Sequence, residues 1–231
     1  MAAAGYPGED QALFDTVRAV ALELCPKLGI SIPVGKDSMS MRTAWQDGSA
    51  QKEVVAPLSL IASAFAPVSD VRHTLTPQLR TDRGPTVLLL VEPNEEKTRL
   101  GGSALAQVYG QVGDTAPDLD DADKLKAFFA VTRALHRAGE ILAYHDRSDG
   151  GLAATLCEMM FAGRCGLEID TGTRLSSSDL LSLFFNEELG AVLQVRAARA
   201  ELIAEQFRSA GVSARALGRI TANDTLKLAH D

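Results

Sequence analysis

The chain of 231 residues has no concentration of basic side chains. Its 23 Lys and Arg residues are scattered among 30 Asp and Glu, which gives a formal net charge of −7. Because the backbone of a nucleic acid is met by clustered Lys and Arg, this charge argues against a nucleic-acid partner. Hydrophobic residues make up 46% and charged residues 23%, which is ordinary for a soluble globular protein.

The chain also lacks an apolar run long enough to cross a membrane. The longest runs, 58–67 and 86–91, have the length of strands, whereas a spanning helix needs about 20 apolar residues. The first ten residues are mostly small or acidic and contain no basic stretch, so we do not expect a signal peptide. The sequence therefore predicts no membrane partner.

Cysteine is scarce, and Cys25, Cys157 and Cys165 form no C-x-x-C pair. This usage fits a reducing, cytoplasmic setting. A nucleophilic pair of Cys157 with His145 is disfavoured because Cys157 lies within an apolar helix pattern. The four histidines also lack the spacing of zinc ligands. They are His73, His136, His145 and His230.

Hydrophobic periodicity predicts an α/β or α+β protein in which helices cover a sheet. The strand patterns of the longer, second part cover 86–91, 141–144, 167–169, 191–195, 216–220 and 225–228. The helix patterns there cover 103–109, 124–138, 152–162, 178–188 and 198–210. The alternation of the two kinds of pattern favours a layer of helices packed on a sheet.

The first part shows a different pattern. An amphipathic helix is predicted over 9–24 and a short strand over 30–34. A hairpin follows, with weak alternation at 39–45 and a return strand at 54–66. After 69 the pattern breaks into a connector, which places a domain boundary near residue 84.

The densest group of polar residues is the segment 145–152, His-Asp-Arg-Ser-Asp-Gly-Gly-Leu. It lies between a strand pattern and a helix pattern, where unpaired amides and the helix dipole favour an anion such as phosphate. Asp146 and Asp149 would repel a phosphate unless a cation lay between them. The segment therefore suggests Mg²⁺ carried with a nucleotide. The alternative is that Ser148 or Asp149 simply caps the helix.

Three other segments are weaker candidates. Lys36, in a glycine turn, can reach a phosphate, but no P-loop pattern is present and the residues alone favour a solvated lysine. The segment 101–103, Gly-Gly-Ser, has two interpretations. Its backbone amides bind an anion, or its glycines form a turn and its serine caps the next helix. Glu187 and Glu188 are poorly placed at the end of a predicted helix, which indicates another role for one of them or a solvated end.

Five motifs in order give the chain a family resemblance. They are PVGKDSMSM at 33–41, DVRHTLTP at 70–77, LGGS at 100–103, HDRSDGGL at 145–152 and FNEELG at 185–190. Together they resemble the large, single-chain phosphoribosylformylglycinamidine synthases of purine biosynthesis, over essentially the whole chain. Relatives of aminoimidazole ribonucleotide synthetase and selenophosphate synthetase share the fold, but the first and last motifs are typical of the amidotransferase family.

The resemblance implies that the chain is a fragment of a synthetase core. Residues 1–84 would be the C-terminal part of the second N-type domain, and 85–231 the second C-type domain of the aminoimidazole-ribonucleotide-synthetase type. The parent enzyme would be an ATP-dependent carbon–nitrogen ligase with glutamine as amide donor. It would activate the oxygen of formylglycinamide ribonucleotide and replace it with ammonia, in partnership with the remaining synthetase and glutaminase domains.

The resemblance also assigns roles within the segment 145–152. Asp146 matches a Mg²⁺ ligand and Ser148 a contact to ATP or ADP, while Lys36 is a weaker match to a contact on the phosphate side. Asp149 is left as a helix cap. No catalytic residue is assigned, so the fragment alone is expected to have no turnover. The alternative is a non-catalytic nucleotide-binding scaffold module of a larger assembly.

Overall fold

A computed structural model describes residues 1–94, 97–172 and 175–229. The chain forms two compact units, Met1–Ser69 and Asp70–Asp231. No helix in the described part of the chain is long and apolar enough to cross a membrane.

The first unit begins with a helix whose turns widen along its length. Helix α1 covers Glu9–Val17, continues as a π-helix over Arg18–Leu24 and leads into the short helix α2, Cys25–Leu28. Pro26 lies in the first turn of α2 and, having no N–H, cannot donate to the preceding helical turn. The predicted helix over 9–24 is present, and it continues past the proline.

A two-stranded hairpin completes the regular structure of this unit. Strand β1, Arg42–Asp47, pairs antiparallel with β2, Ala50–Val55, with Asp47 opposite Ala50. The predicted strands at 30–34 and 54–66 are wrong, since 30–34 has no regular structure and β2 begins earlier and ends at Val55. The two-residue turn determines the register, and Pro57 has no N–H with which to prolong the ladder.

The second unit is built on a six-stranded sheet in the order β4-β6-β3-β7-β5-β8. Its strands are β3 Thr86–Glu92, β4 Ile141–Asp146, β5 Gly166–Asp170, β6 Ala191–Arg196, β7 Ser213–Thr221 and β8 Leu226–Ala229. All neighbours pair antiparallel except β5 and β8, which are parallel. Strand β4, which leads into the segment 145–152, lies at one edge of this sheet.

Helices pack on both faces of the sheet. The helices of this unit are α3 Ala104–Val108, α4 Ala122–Arg137, α5 Gly151–Gly163, α6 Ser177–Phe185 and α7 Ala200–Ser209, and α4 to α7 contribute buried residues to the two cores. Leu88 and Leu90 of the central strand β3 enter a core shared with α5 and α6. Leu89 and Val91 enter a second core shared with α4 and α7. Because successive side chains of a strand alternate between faces, β3 is buried on both sides, and the predicted α/β class is confirmed.

The connector before β3 belongs to the second unit. Leu79 is buried in the core of α5 and α6. The backbone N–H of Arg80 donates to the side chain of Gln194 at 2.7 Å, and the Gln194 amide donates back to the Arg80 carbonyl at 3.0 Å. The compact units therefore divide between residues 69 and 70, whereas the sequence suggests residue 84. The assignment of 1–84 and 85–231 to particular synthetase domains stays a prediction.

Candidate functional site

The segment 145–152 forms the turn between β4 and α5, here called the Asp146 turn (residues 146–150). Asp146 is the last residue of β4, and α5 begins at Gly151. Gly150 and Gly151 have φ of 82° and 65°, a region that favours glycine. A Cβ on Gly151 would lie 2.5 Å from the carbonyl oxygen of Asn186, so the backbone there approaches too closely for any side chain.

The structure brings two of the three predicted site residues together. Asp146 and Ser148 are both exposed, and the Ser148 hydroxyl donates to Oδ2 of Asp146 at 3.1 Å. Lys36 belongs to the first unit and is also exposed. Its ammonium group donates to the Asp37 carbonyl at 3.0 Å and to the Ser38 hydroxyl at 2.8 Å, within its own turn.

The donor set fits a metal shared with phosphate better than a closed protein site. No group of three or more His, Cys, Asp or Glu suited to a metal occurs among the described residues. Asp146 supplies one exposed carboxylate, and Mg²⁺ is commonly held by one or two carboxylates together with phosphate and water. His145 pairs with Glu158 at 2.7 Å, while His230 lies outside the described residues.

The interpretation of Ser148 or Asp149 as a helix cap is wrong. Within the part of the chain that the structure describes, α5 has its N-cap at Gly150 and no side chain caps it by the usual bond. The Gly150 N–H donates to Oε1 of Glu187 at 2.8 Å, and the Gly151 N–H donates to the Ser148 carbonyl at 2.9 Å. These two amides are therefore already paired, which removes them as donors to a phosphate.

Glu187 joins the Asp146 turn to a second loop. Its Oε1 accepts from the Gly150 N–H and also from the Ala104 N–H, each at 2.8 Å. The sequence predicts a helix to residue 188, but α6 ends at Phe185 because Asn186 is extended, with φ −71° and ψ 145°. Glu187 thus lies in a loop, two residues after the end of α6. The unfavourable charge at the predicted helix end was the only sequence signal for it.

Glu188 forms a buried ion pair with Arg99. The guanidinium binds both carboxylate oxygens, with Nε at 2.6 Å from Oε1 and Nη2 at 2.7 Å from Oε2. Burial by itself raises the pKa of Glu188, but the hydrogen bonds and charge of Arg99 outweigh it and lower that pKa below its usual value. The pair therefore stays charged and fixes the backbone next to Glu187.

Arg147 supports the Asp146 turn from inside, and sequence reasoning assigned it no role. Its side chain is fully buried, and Nε donates to the Glu188 carbonyl at 2.6 Å. Nη1 donates to Oε1 of Glu92 at 2.8 Å, and Nη2 to the Leu189 carbonyl at 3.3 Å. While Arg147 is buried, its neighbours Asp146 and Ser148 are exposed, an alternation that continues the period of β4.

Tyr144 lies two residues before Asp146, and the charge of Asp146 affects the pKa of Tyr144. Burial first, and the negative charge of Asp146 second, raise the pKa of Tyr144 to about 12. The phenol is therefore neutral at physiological pH and adds no negative charge near the turn.

The loop 100–103 has the structural role that its sequence also allowed. The Gly101 N–H donates to the Thr115 carbonyl at 2.8 Å, and a Cβ on Gly101 would lie 2.5 Å from that oxygen. The Ser103 hydroxyl accepts from the Ala106 N–H at 3.2 Å and caps α3. Glycine for a close approach and serine for a cap account for this motif.

Comparison with known protein families gives two matches in chain order. The model described as "FGAR-AT PurM_N-like domain" matches residues 1–67. The model described as "AIR synthase related protein, C-terminal domain" matches residues 86–231. The unmatched stretch between them contains the connector that packs with the second unit.

Solved structures of similar fold include proteins of two kinds. PurLQS from Thermotoga maritima is 12% identical, with a TM-score of 0.63, and the match covers 93% of this chain and 33% of that chain. The hydrogenase maturation protein HypE from E. coli is 20% identical, with a TM-score of 0.58, over 98% of this chain and 66% of that chain.

A third match is T. maritima PurL complexed with ATP. It is 13% identical, with a TM-score of 0.53, and the match covers 69% of this chain but 25% of that chain. At these identities the likeness establishes the fold. The chain spans about a quarter of the PurL chain that it matches.

Proposed function

Because the chain belongs to the family of AIR synthase related proteins, we propose that it is part of a phosphoribosylformylglycinamidine synthase of the large, single-chain type. The order of its two matched models, an FGAR-AT domain followed by an AIR synthase C-terminal domain, supports this proposal over a hydrogenase maturation protein. The five ordered sequence motifs support the single-chain type. The whole enzyme would use ATP and glutamine to convert formylglycinamide ribonucleotide to the amidine in the cytoplasm.

Within that enzyme, the Asp146 turn would form one wall of a magnesium–nucleotide site. The observation that carries this role is the exposed Asp146–Ser148 pair, held 3.1 Å apart on a backbone that is fixed from below by Arg147. The Asp146 carboxylate would supply one oxygen ligand to Mg²⁺, and the Ser148 hydroxyl would contact the nucleotide. Lys36 would contribute on the phosphate side.

The protein's own residues would chiefly bind and orient. A bound Mg²⁺ would neutralise phosphate charge during phosphoryl transfer. Ser148 orients the Asp146 carboxylate through its hydrogen bond, and Tyr144, whose pKa is raised to about 12, adds no negative charge beside that carboxylate at physiological pH. We assign no catalytic residue among these groups and expect no turnover by this chain alone.

A second candidate function is a nucleotide-binding scaffold without chemistry. The assignment of only one carboxylate of this turn, Asp146, to the metal favours it, since catalytic phosphoryl-transfer sites usually share their metals among several ligands. In a whole synthetase that carries this segment, Asp146→Asn would separate the two functions. Lost stability with normal turnover per folded molecule would indicate a scaffold, whereas lost turnover in a stable protein would indicate catalysis.

Calorimetric titration with Mg-ADP tests the binding role in the chain itself. We expect weak binding to the unaltered chain, because one wall of a site supplies few contacts. Asp146→Asn should weaken Mg-ADP binding by more than about tenfold, because removing even an outer partner of a metal ligand typically lowers metal affinity by about tenfold or more. Ser148→Ala should weaken it less.

Asp149→Asn is the matched control, because Asp149 is an exposed neighbour with no assigned contact to metal or nucleotide. It should leave the affinity unchanged. Equal affinities for the unaltered chain and Asp146→Asn would contradict the proposed site.

A further inference from the structure

Glu187 stands out because one carboxylate oxygen serves two loops that are distant in sequence. Oε1 accepts from the Gly150 N–H at the start of α5 and from the Ala104 N–H at the start of α3, both at 2.8 Å. Glu187 follows α6, Gly150 lies in the Asp146 turn and Ala104 is the first residue of α3. Glu92 also reaches this turn, but through the Arg147 side chain, whereas Glu187 binds the backbone of the turn.

The backbone around Gly150 needs such a partner. Gly150 has a φ of 82°, and no conventional side-chain cap covers the first turn of α5 in the described residues. A negatively charged acceptor at a helix start stabilises both the unpaired amide and the positive end of the dipole. Glu187 therefore substitutes, from a distant loop, for the cap that Ser148 and Asp149 do not provide.

The position of Glu187 is itself fixed on both sides. Asn186 is buried, and its amide group donates to the Ser182 carbonyl at 2.6 Å. Glu188 is buried and accepts from Nε and Nη2 of Arg99. With its neighbours held in this way, the Glu187 carboxylate has little freedom to follow a moving turn, so it restrains the turn.

We propose that Glu187 is a positioning residue for the Asp146 turn, which holds Asp146 and Ser148 in the geometry that binds magnesium–nucleotide. The restraint of the turn rests on the two amide contacts of Glu187. Its effect on magnesium–nucleotide binding rests on the proposed function. Through those contacts, which both use Oε1, Glu187 acts on the turn by way of Gly150. Outer partners that orient a metal ligand typically change metal affinity by about 10–100-fold when they are removed.

Amide hydrogen exchange, measured by NMR, tests the mechanism directly. In Glu187→Ala the amides of Ala104 and Gly150 should both exchange faster, because both lose their acceptor. Glu187→Gln keeps an oxygen that can accept the same bonds without the charge, so its acceleration should be smaller. Glu205→Ala removes an exposed carboxylate on α7 that pairs with Arg208, and it should change neither amide.

Titration with Mg-ADP, followed by amide chemical shifts on the same proteins, tests the consequence. Glu187→Ala should weaken binding by about 10–100-fold, Glu187→Gln by less, and Glu205→Ala not at all. Unchanged exchange at Ala104 and Gly150 in Glu187→Ala would overturn the positioning role, as would faster exchange with unchanged affinity. If the unaltered chain shows no Mg-ADP shifts, the proposed function fails, while exchange still decides whether Glu187 holds the turn.

Discussion

At the scale of single residues, the Asp146 turn depends on a charge that faces inward. The Arg147 guanidinium is fully buried and is neutralised by Glu92, whose side chain is 15% exposed. The carbonyls of Glu188 and Leu189 accept from Nε and Nη2. A buried charge is tolerated when it is both paired and hydrogen-bonded, and here those bonds also fix the turn to the loop that follows α6.

Replacing Arg147 by alanine should therefore be costly. Arg147→Ala leaves the Glu92 carboxylate without its partner and two carbonyls without donors, so we expect a loss of about 3–5 kcal/mol in the free energy of unfolding. Urea unfolding measures the difference. Arg219→Ala is the matched control, because the Arg219 side chain is 66% exposed in its pair with Glu168 and should cost less than about 1 kcal/mol. Equal losses in the two variants would refute a supporting role for Arg147.

The residues of the turn could be predicted from sequence only where their roles are local. Asp146 and Ser148 stand within three residues of each other, and their residue types alone suggest a metal–nucleotide contact. Glu187 reaches the turn across a loop, and its partners Gly150 and Ala104 lie 37 and 83 residues away. A contact of that separation leaves no periodic pattern in a single sequence, so the role of Glu187 could not be predicted.

At the scale of elements, the start of α5 is shaped by close backbone approach. Gly151 combines a φ of 65° with carbonyl oxygens of Asn186 and Phe184 at 2.5 and 2.8 Å from where its Cβ would be. The end of α6 and the start of α5 are therefore packed backbone to backbone. This contact brings Glu187 within reach of Gly150.

Gly151→Ala should destabilise the fold through both strain and overlap. We expect a loss of about 2–5 kcal/mol, the sum of a left-handed backbone for alanine and a forced shift of neighbouring carbonyls. Gly211→Ala separates the two causes, since Gly211 has a φ of 77° but open space around its Cβ position, and should cost about 1–2 kcal/mol. Thermal or urea unfolding compares them. A Gly151→Ala loss no larger than that of Gly211→Ala would show that the close approach is unimportant.

Helices were predicted well where one face is buried, because that burial gives the sequence a hydrophobic periodicity. The helices α4, α5 and α7 were each predicted within two residues of both ends, because their apolar stripes face a sheet. The return strand of the hairpin was misplaced because its start depends on the turn and not on hydrophobicity. The end of α6 was misplaced because Asn186, extended and buried beside Gly151, stops the helix through a tertiary contact.

At the scale of the whole molecule, the two units differ sharply in their cores. The buried hydrophobic residues of the first unit, all of whose residues are described, are Ala2, Ala3 and Cys25. Large apolar side chains there are open to solvent, with Phe65 at 95% and Ile61 at 77% exposure. The second unit holds two apolar clusters, one on each face of its sheet. Because buried apolar area is the dominant stabilising contribution, the first unit should be the weaker one.

Trp45, the single tryptophan of the chain, reports on the first unit alone. In urea, its fluorescence should change at a lower denaturant concentration than the helical circular dichroism, to which the second unit contributes five helices. A single shared midpoint for both probes would contradict independent stability of the two units.

The account as a whole depends on whether Asp146 couples a divalent cation to a nucleotide. Titration of ADP into the unaltered chain and into Asp146→Asn, each with Mg²⁺ and with EDTA, tests this most directly. The account predicts that Mg²⁺ strengthens ADP binding to the unaltered chain and that Asp146→Asn abolishes this strengthening. The same gain from Mg²⁺ in both proteins would contradict it.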